Sequence, residues 1–212
     1  MAFYLIYFRK CQGYILAALF SVLLFGCRES SAPLPKEDQY LVDAVQFGYL
    51  SQQQIARMFN IPLLDGLAKN DVHFYKITYR TGNVDGSDIL ASGLVAFPDG
   101  DGQYPMLSIQ HGTILQETSA PSYYKPGTAE FWEGEDGFVR AGSGFASMGY
   151  IVVFPDYIGY GASKQLPHPY EHRESLATAC LDMLRAVKEF VPKITGPKWN
   201  KKLYISGFSE GG

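Results

Sequence analysis

The chain has 212 residues, 47% of them hydrophobic and 18% charged, the balance of an ordinary globular protein that buries a core around one main domain. A formal net charge of −3 and the lack of any basic run exclude an electrostatic nucleic-acid binder. The 15 Tyr and 14 Phe suit a β-rich or pocket-rich protein, and equally a well-packed core.

At the N-terminus, Arg9 and Lys10 precede an apolar run, Gly13 to Phe25, that ends at Gly26-Cys27. A positive flank followed by a short apolar stretch is the pattern of a secretory signal. Leu24-Phe25-Gly26-Cys27 resembles a bacterial lipobox, where cleavage before the cysteine leaves it to be acylated. The run is short of the roughly 20 apolar residues that span a bilayer, so a lipoprotein is expected over the alternative of an uncleaved signal anchor. Residues 1–26 are then the signal peptide, Cys27 the lipidation site, and residues 27–38 a proline-bearing tether (Pro33, Pro35). The expected location is the bacterial cell envelope, with the exported protein held at the membrane by its lipid anchor. Of three cysteines, Cys11 leaves with the signal and Cys27 carries lipid. Cys180 remains, on the apolar face of a predicted helix, as a small buried hydrophobe.

Residues 39–70 read as an N-terminal helical segment. Leu41, Val42, Val45 and Tyr49, then Ile55, Met58 and Phe59, recur at helical spacing, with a break at Gly48. Period two then takes over. Tyr75 to Arg80 alternates apolar and polar residues, and the turn-rich stretch Gly82 to Asp88 leads to a second β-like run, Ile89 to Phe97, so the two form an antiparallel pair. Met106 to Gln110 is a short apolar strand, Phe138 to Met148 a glycine-bearing helix, and Tyr150 to Phe154 a β-branched run of the kind covered on both faces. The clearest helix spans Glu171 to Val191, with Leu176, Cys180, Met183, Leu184, Val187 and Val191 on one stripe. On its outer face Asp182 with Arg185, and Arg185 with Glu189, are spaced to pair in solvent. Leu203 to Ser206 is the next buried strand. Strand, helix, strand, helix, strand implies right-handed crossovers and a mainly parallel sheet behind the N-terminal antiparallel pair. Function in such sheets gathers at the carboxyl ends of the strands.

Three motifs sit at those ends. Gly207-Phe208-Ser209-Glu210-Gly211 has the spacing of a nucleophile elbow, a sharp strand-to-helix turn that leaves a serine hydroxyl at its tip. Acyl transfer also needs donors for the oxyanion. The Glu210 N–H supplies one, and the Thr113 N–H, in His111-Gly112-Thr113 at the end of an earlier strand, supplies the other. Phe154-Pro155-Asp156-Tyr157-Ile158-Gly159-Tyr160-Gly161 is the third motif, with Asp156 read as a structural turn residue. His111 is expected to prop the oxyanion loop, His168 to anchor a loop, His73 to lie in a strand, and His172 in the first turn of the long helix. The long loop from Ile114 to Gly137 carries Tyr123, Tyr124, Phe131 and Trp132, which serve either as a lid over an apolar acyl group or as simple packing. Glu133, Glu135 and Asp136 read as a solvated acidic loop. No phosphate loop, dinucleotide fingerprint or paired-cysteine metal site is present, so neither cofactor nor metal is expected.

With its strand order and these three motifs, the stretch from Val72 to Gly212 resembles the α/β-hydrolase superfamily, and within it the secreted lipase-like and esterase-like bacterial members. The resemblance implies a serine hydrolase of carboxylic esters, acting on a small-molecule or lipid ester without a cofactor. Ser209 is then the nucleophile, Thr113 and Glu210 form the oxyanion hole, and His111, Gly112, Gly207 and Gly211 are supporting motif residues. In that family the aspartate and histidine of the triad follow the nucleophile in the chain. The resemblance therefore implies that residues 71–212 are an incomplete domain, whose C-terminal strands and helices, with the Asp and His, lie beyond residue 212. Two alternatives stay open: a prolyl-oligopeptidase-like peptidase of the same superfamily, or, if the 212 residues are the whole product, an inactive remnant or binding module.

Overall fold

The computed structural model describes residues 38–59, 66–128 and 137–212. The signal peptide, Cys27, the tether up to residue 37, and Phe131, Trp132, Glu133, Glu135 and Asp136 lie outside the described residues. Asp38–Gly212 forms one compact unit.

Six strands make one sheet in the order β1-β2-β3-β5-β4-β6. They are β1 (Leu41–Leu50), β2 (Val72–Gly82), β3 (Asp88–Pro98), β4 (Gln103–Gln110), β5 (Ile151–Pro155) and β6 (Lys198–Gly207). Among the described residues three helices accompany them: α1 (Gln52–Phe59), α2 (Gly137–Ser147) and α3 (Arg173–Phe190). The β1–β2, β2–β3 and β3–β5 pairs are antiparallel, while β4 runs parallel to both β5 and β6. The result is a mixed sheet, antiparallel at the N-terminal side and parallel where the crossover helices return the chain.

Alternation along the strands sends side chains to two cores. On one face Ile77, Tyr79, Val95, Ile151 and Val153 pack under Met183, Leu184, Val187 and Phe190 of α3. On the other, Phe74, Leu94, Leu107, Val152 and Phe154 meet Ile55 of α1 and Val139 and Ala146 of α2. Every residue of β5 is buried because it contributes to both. Glycine in α2 has a packing reason. A Cβ on Gly142 would lie 1.9 Å from the Phe154 ring, so only glycine lets the helix axis approach the sheet there.

One expected element differs. Leu41–Leu50 is a strand, not a helix. Register shifts between Leu41 and Asp43 and between Gln46 and Gly48 each break the pairing with β2. Such bulges disturb strict alternation, and Val42, Val45 and Tyr49, which gave the helical spacing, stand exposed on this edge strand and not on a buried stripe. The antiparallel part thus has one strand more than the sequence suggested.

The outer face of α3 also differs. Asp182 is buried, 5% exposed, and accepts from Thr81 Oγ1 at 2.8 Å as well as from Arg185 Nη1 at 2.7 Å. It is not a solvated ion-pair residue, because β2 passes beneath that turn of the helix. Glu189 does not pair with Arg185. Its carboxylate instead accepts the N–H groups of Gln39, Tyr40 and Leu41 and so caps the start of β1.

At the opposite edge, among the described residues, β6 pairs only with β4, and Leu203, Tyr204 and Ile205 stand 42%, 50% and 69% exposed, not buried as expected. Among the described residues, no helix is long and apolar enough to cross a membrane.

Candidate active site

The parallel strands β4, β5 and β6 end at Gln110, Pro155 and Gly207, and the three motifs follow directly. After β6 the chain stays extended at Phe208, enters the left-handed region at Ser209 (φ 55°) and makes one helical turn, Ser209–Gly211. A non-glycine residue held at positive φ costs about 1–3 kcal/mol and persists only where its surroundings enforce it. Here the flanking glycines do so. A Cβ on Gly207 would lie 1.8 Å from the Gly211 carbonyl oxygen, and one on Gly211 would lie 2.5 Å from the Gln110 carbonyl oxygen. The turn is folded back onto its own strand and onto the end of β4, which leaves Ser209 exposed at the tip.

His111-Gly112-Thr113 meets this tip. A Cβ on Gly112 would stand 3.3 Å from Ser209 Cβ and 3.1 Å from the Phe208 ring, so the backbone of the loop touches the elbow directly. Thr113 is exposed beside it. The N–H groups that close the elbow turn are those of Gly211 and Gly212, to the Phe208 and Ser209 carbonyls, and the Glu210 N–H lies outside them.

His111 is buried. Its Nδ1 donates to the Gly112 carbonyl at 2.7 Å, its ring lies 4.2 Å from that of Tyr157, and its own carbonyl accepts from the Tyr157 hydroxyl at 2.9 Å. These contacts hold the loop against the elbow. His168 is bonded through Nδ1 to the Ile158 carbonyl and through Nε2 to Glu210 Oε1, each at 2.7 Å. His73 lies in β2, at the opposite end of the sheet, against Gln46 and Asp99. His172 precedes the first turn of α3 as its N-cap and accepts from the Ser175 N–H. Among the described residues no histidine or carboxylate hydrogen-bonds Ser209. The ends of β4 and β6 therefore bring the exposed Ser209 and the Gly112-Thr113 backbone to one place, and among the described residues no acid–base side chain joins them.

Asp156 was expected to shape a turn, and the structure shows how. It is fully buried, with Oδ2 accepting from Ser92 Oγ at 2.6 Å and Oδ1 from the Ser122 N–H at 2.8 Å. Ser92 Oγ in turn accepts the Ala162 N–H at 2.8 Å. One carboxyl thus ties the loops after β4 and β5 to β3. Burial pushes its pKa up, against the opposing pull of those two hydrogen bonds and of His111. Ahead of it, the loop after β4 contains two short helical turns, Glu117–Ser119 and Pro121–Tyr123. Tyr124 packs into the core beside α1, and Lys76 lies over the Tyr123 ring at 5.5 Å.

Between α3 and β6 lies a cavity of about 600 Å³, bordered by Tyr157, Leu176, Cys180, Leu184, Ile205 and Ser209 among others. Cys180 is half-buried at that border and not fully buried as expected, and burial pushes its thiol up to about 12, which leaves little thiolate at neutral pH.

No family model matches the chain, and no curated protein matches it. Solved structures do. A Legionella pneumophila protein that carries the description of hydrolase is 35% identical, with a TM-score of 0.68 over 82% of this chain and 45% of its own. The rice cell wall degrading esterase LipA of Xanthomonas oryzae is 30% identical, with a TM-score of 0.67 over 82% of this chain and 43% of its own. This is the α/β-hydrolase fold of lipases and esterases. Candida antarctica lipase A, 18% identical with a TM-score of 0.55, shares the hydrolase fold over 82% of this chain and 36% of its own. The chain spans less than half the length of each of these structures. Within the hydrolase fold, the links that sequence reasoning missed are the side chains behind the His111-Gly112-Thr113 loop and Glu210. Tyr157 holds His111, and His168 holds Glu210. The only sequence signal for the second was His168 standing in a proline-flanked loop between two motif-bearing segments.

Proposed function

We propose that these residues carry the nucleophile and oxyanion hole of a serine hydrolase acting on carboxylic esters. The observation that carries this reading is the contact of Gly112 with the Ser209 elbow, which brings the Thr113 and Glu210 peptides to one exposed serine. Ser209 Oγ attacks the ester carbonyl, and the two N–H groups stabilise the negative oxygen of the tetrahedral intermediate. The alcohol leaves with a proton, and water then attacks the acyl-serine to release the acid. The proton carrier is a histidine, oriented by an aspartate, from chain beyond residue 212. His168 has both ring nitrogens bonded, to the Ile158 carbonyl and Glu210, and His111 is buried with its Nδ1 given to the Gly112 carbonyl.

The test is hydrolysis of p-nitrophenyl esters by the full-length protein, beside proline-containing amide substrates. Ester turnover that vanishes in Ser209→Ala is expected. Turnover that survives in that variant overturns the assignment, and cleavage of the amides alone moves the protein to the peptidases. We further propose that Cys27 is acylated and holds the enzyme at the cell envelope. Palmitate labelling that persists in Cys27→Ser refutes that.

A further inference from the structure

The loop after β5 reaches both candidate oxyanion donors. Tyr157 bonds and stacks on His111, which sets the His111-Gly112-Thr113 loop. One residue on, the Ile158 carbonyl receives His168 Nδ1, and the other ring nitrogen reaches Glu210. A side chain between the two would prevent this. A Cβ on Gly159 would fall 2.6 Å from His168 Cα, and the residue sits at φ 92°, so glycine is required on both counts. The His168 ring is further enclosed by Tyr160 and Tyr170, at centroid distances of 4.8 and 6.3 Å.

The contact with Glu210 has defined chemistry. A carbonyl oxygen only accepts, so His168 Nδ1 carries a hydrogen. A proton must then lie between Nε2 and Glu210 Oε1, whichever partner holds it, since two lone pairs at 2.7 Å would repel. Hydrogen bonds of this kind are among the stronger ones. The Glu210 side chain is 1% exposed and His168 is 14% exposed, although Glu210 as a whole residue is half-buried. What Glu210 shows to solvent is therefore backbone. Arg173 borders the same cavity, but among the described residues His168 is the ion-pair partner of Glu210.

We infer that His168 is a positioning residue for the oxyanion hole: by pinning the Glu210 side chain to the loop after β5, it fixes the peptide N–H between Ser209 and Glu210. The inference rests on the ester-hydrolase reading of Ser209 and adds to it the device that aims one of its two donors. One loop then aligns both halves of the hole, Thr113 through Tyr157 and His111, and Glu210 through His168.

The test uses the full-length protein with His168→Ala, His168→Gln, Glu210→Ala and Glu210→Gln. A misaimed donor costs about 10- to 100-fold in kcat, with KM within about 3-fold, because the lost interaction exists only in the transition state. Glu210→Gln, whose amide can still bond a neutral imidazole, loses less than Glu210→Ala. The double variant His168→Ala/Glu210→Ala is no worse than the poorer single one. A second readout does not depend on turnover. The ¹⁵N order parameter of the Glu210 amide falls from about 0.85 towards 0.6 in His168→Ala, while the β5 amides stay rigid. A kcat within 2-fold of wild type in both His168 variants, or a loss confined to KM, overturns the inference. If the wild type hydrolyses no ester, the functional reading fails, and the amide decides this one: an unchanged Glu210 order parameter refutes the clamp, and a fall supports it. If His168→Ala does not fold, His168→Gln supplies both measurements.

Discussion

Replacing Asp156 tests the framework beneath the site. In Asp156→Ala the Ser122 N–H and the Ser92 hydroxyl both lose their acceptor in the interior. A buried donor left unpaired costs about 1–3 kcal/mol. The Ser92 hydroxyl can rotate and still accepts from Ala162, so it belongs at the low end, whereas the fixed Ser122 N–H belongs nearer the middle. The expected loss is about 3 kcal/mol, or a fall in Tm of about 6–12 °C at this chain length. Asp156→Asn separates shape from charge. Because burial raises the folded-state pKa of Asp156 above its unfolded value, folding favours the neutral carboxyl more than the unfolded chain does. Its contribution to stability is whole below the unfolded pKa and is lost as pH rises through the folded one. An asparagine has no such loss, so the stability of Asp156→Asn relative to wild type improves from pH 3.5 to pH 7.5. Other titrating groups are common to both proteins and cancel in the difference. Urea denaturation at the two pH values measures it. A relative stability that is flat or declining with pH refutes the burial argument, and a Tm for Asp156→Ala within 2 °C of wild type refutes the hydrogen-bond argument.

Two further outcomes follow from single contacts. In Gly207→Ala the new Cβ meets the Gly211 carbonyl oxygen at 1.8 Å, where about 3.0 Å is the closest tolerable approach, so the elbow must open by more than 1 Å. Esterase kcat/KM of the full-length protein falls about 100-fold, and a loss under 3-fold would show that the elbow is not held as described. Cys180, with its thiol pushed up to about 12, reacts with iodoacetamide at pH 8 at least 100-fold faster in 8 M urea than in the native state. Peptide mass spectrometry reads the rate at that residue, and comparable native and denatured rates would contradict its burial.

What the sequence made legible depended on whether a residue's surroundings were local. β5 is covered on both faces, so its unbroken apolar run was sufficient, and α3 has one buried stripe, so its helical period was visible. The motif positions followed from topology: parallel strands joined by helices end at the same edge, which brings Gln110, Pro155 and Gly207 together across about a hundred residues. Where the outcome depended on an unseen neighbour, the pattern misled. β1 forms only by pairing with β2, and the helical spacing of Val42, Val45 and Tyr49 came from side chains that stay exposed at that edge. Asp182 looked like a surface residue because a helical wheel does not show that Thr81 of β2 comes within 2.8 Å of it.

The candidate site divides in the same way. The elbow around Ser209 was legible because sterics at a tight turn restrict Gly207, Gly211 and Gly112 to glycine within a few positions. The side chains behind the Thr113 loop and Glu210 are not restricted in that manner. His168 and Glu210 stand 42 residues apart, and nothing in either segment specifies the other. They are linked because Gly159 lets the β5 loop lie on the His168 backbone, leaving the ring one free nitrogen at the distance of Glu210. On the proposed reading, the chemistry of the elbow is written in short motifs, while its alignment is written in the packing of the loop between them. Substitutions at Tyr157, Gly159 or His168 should then change turnover without touching any residue of the motif that names the fold.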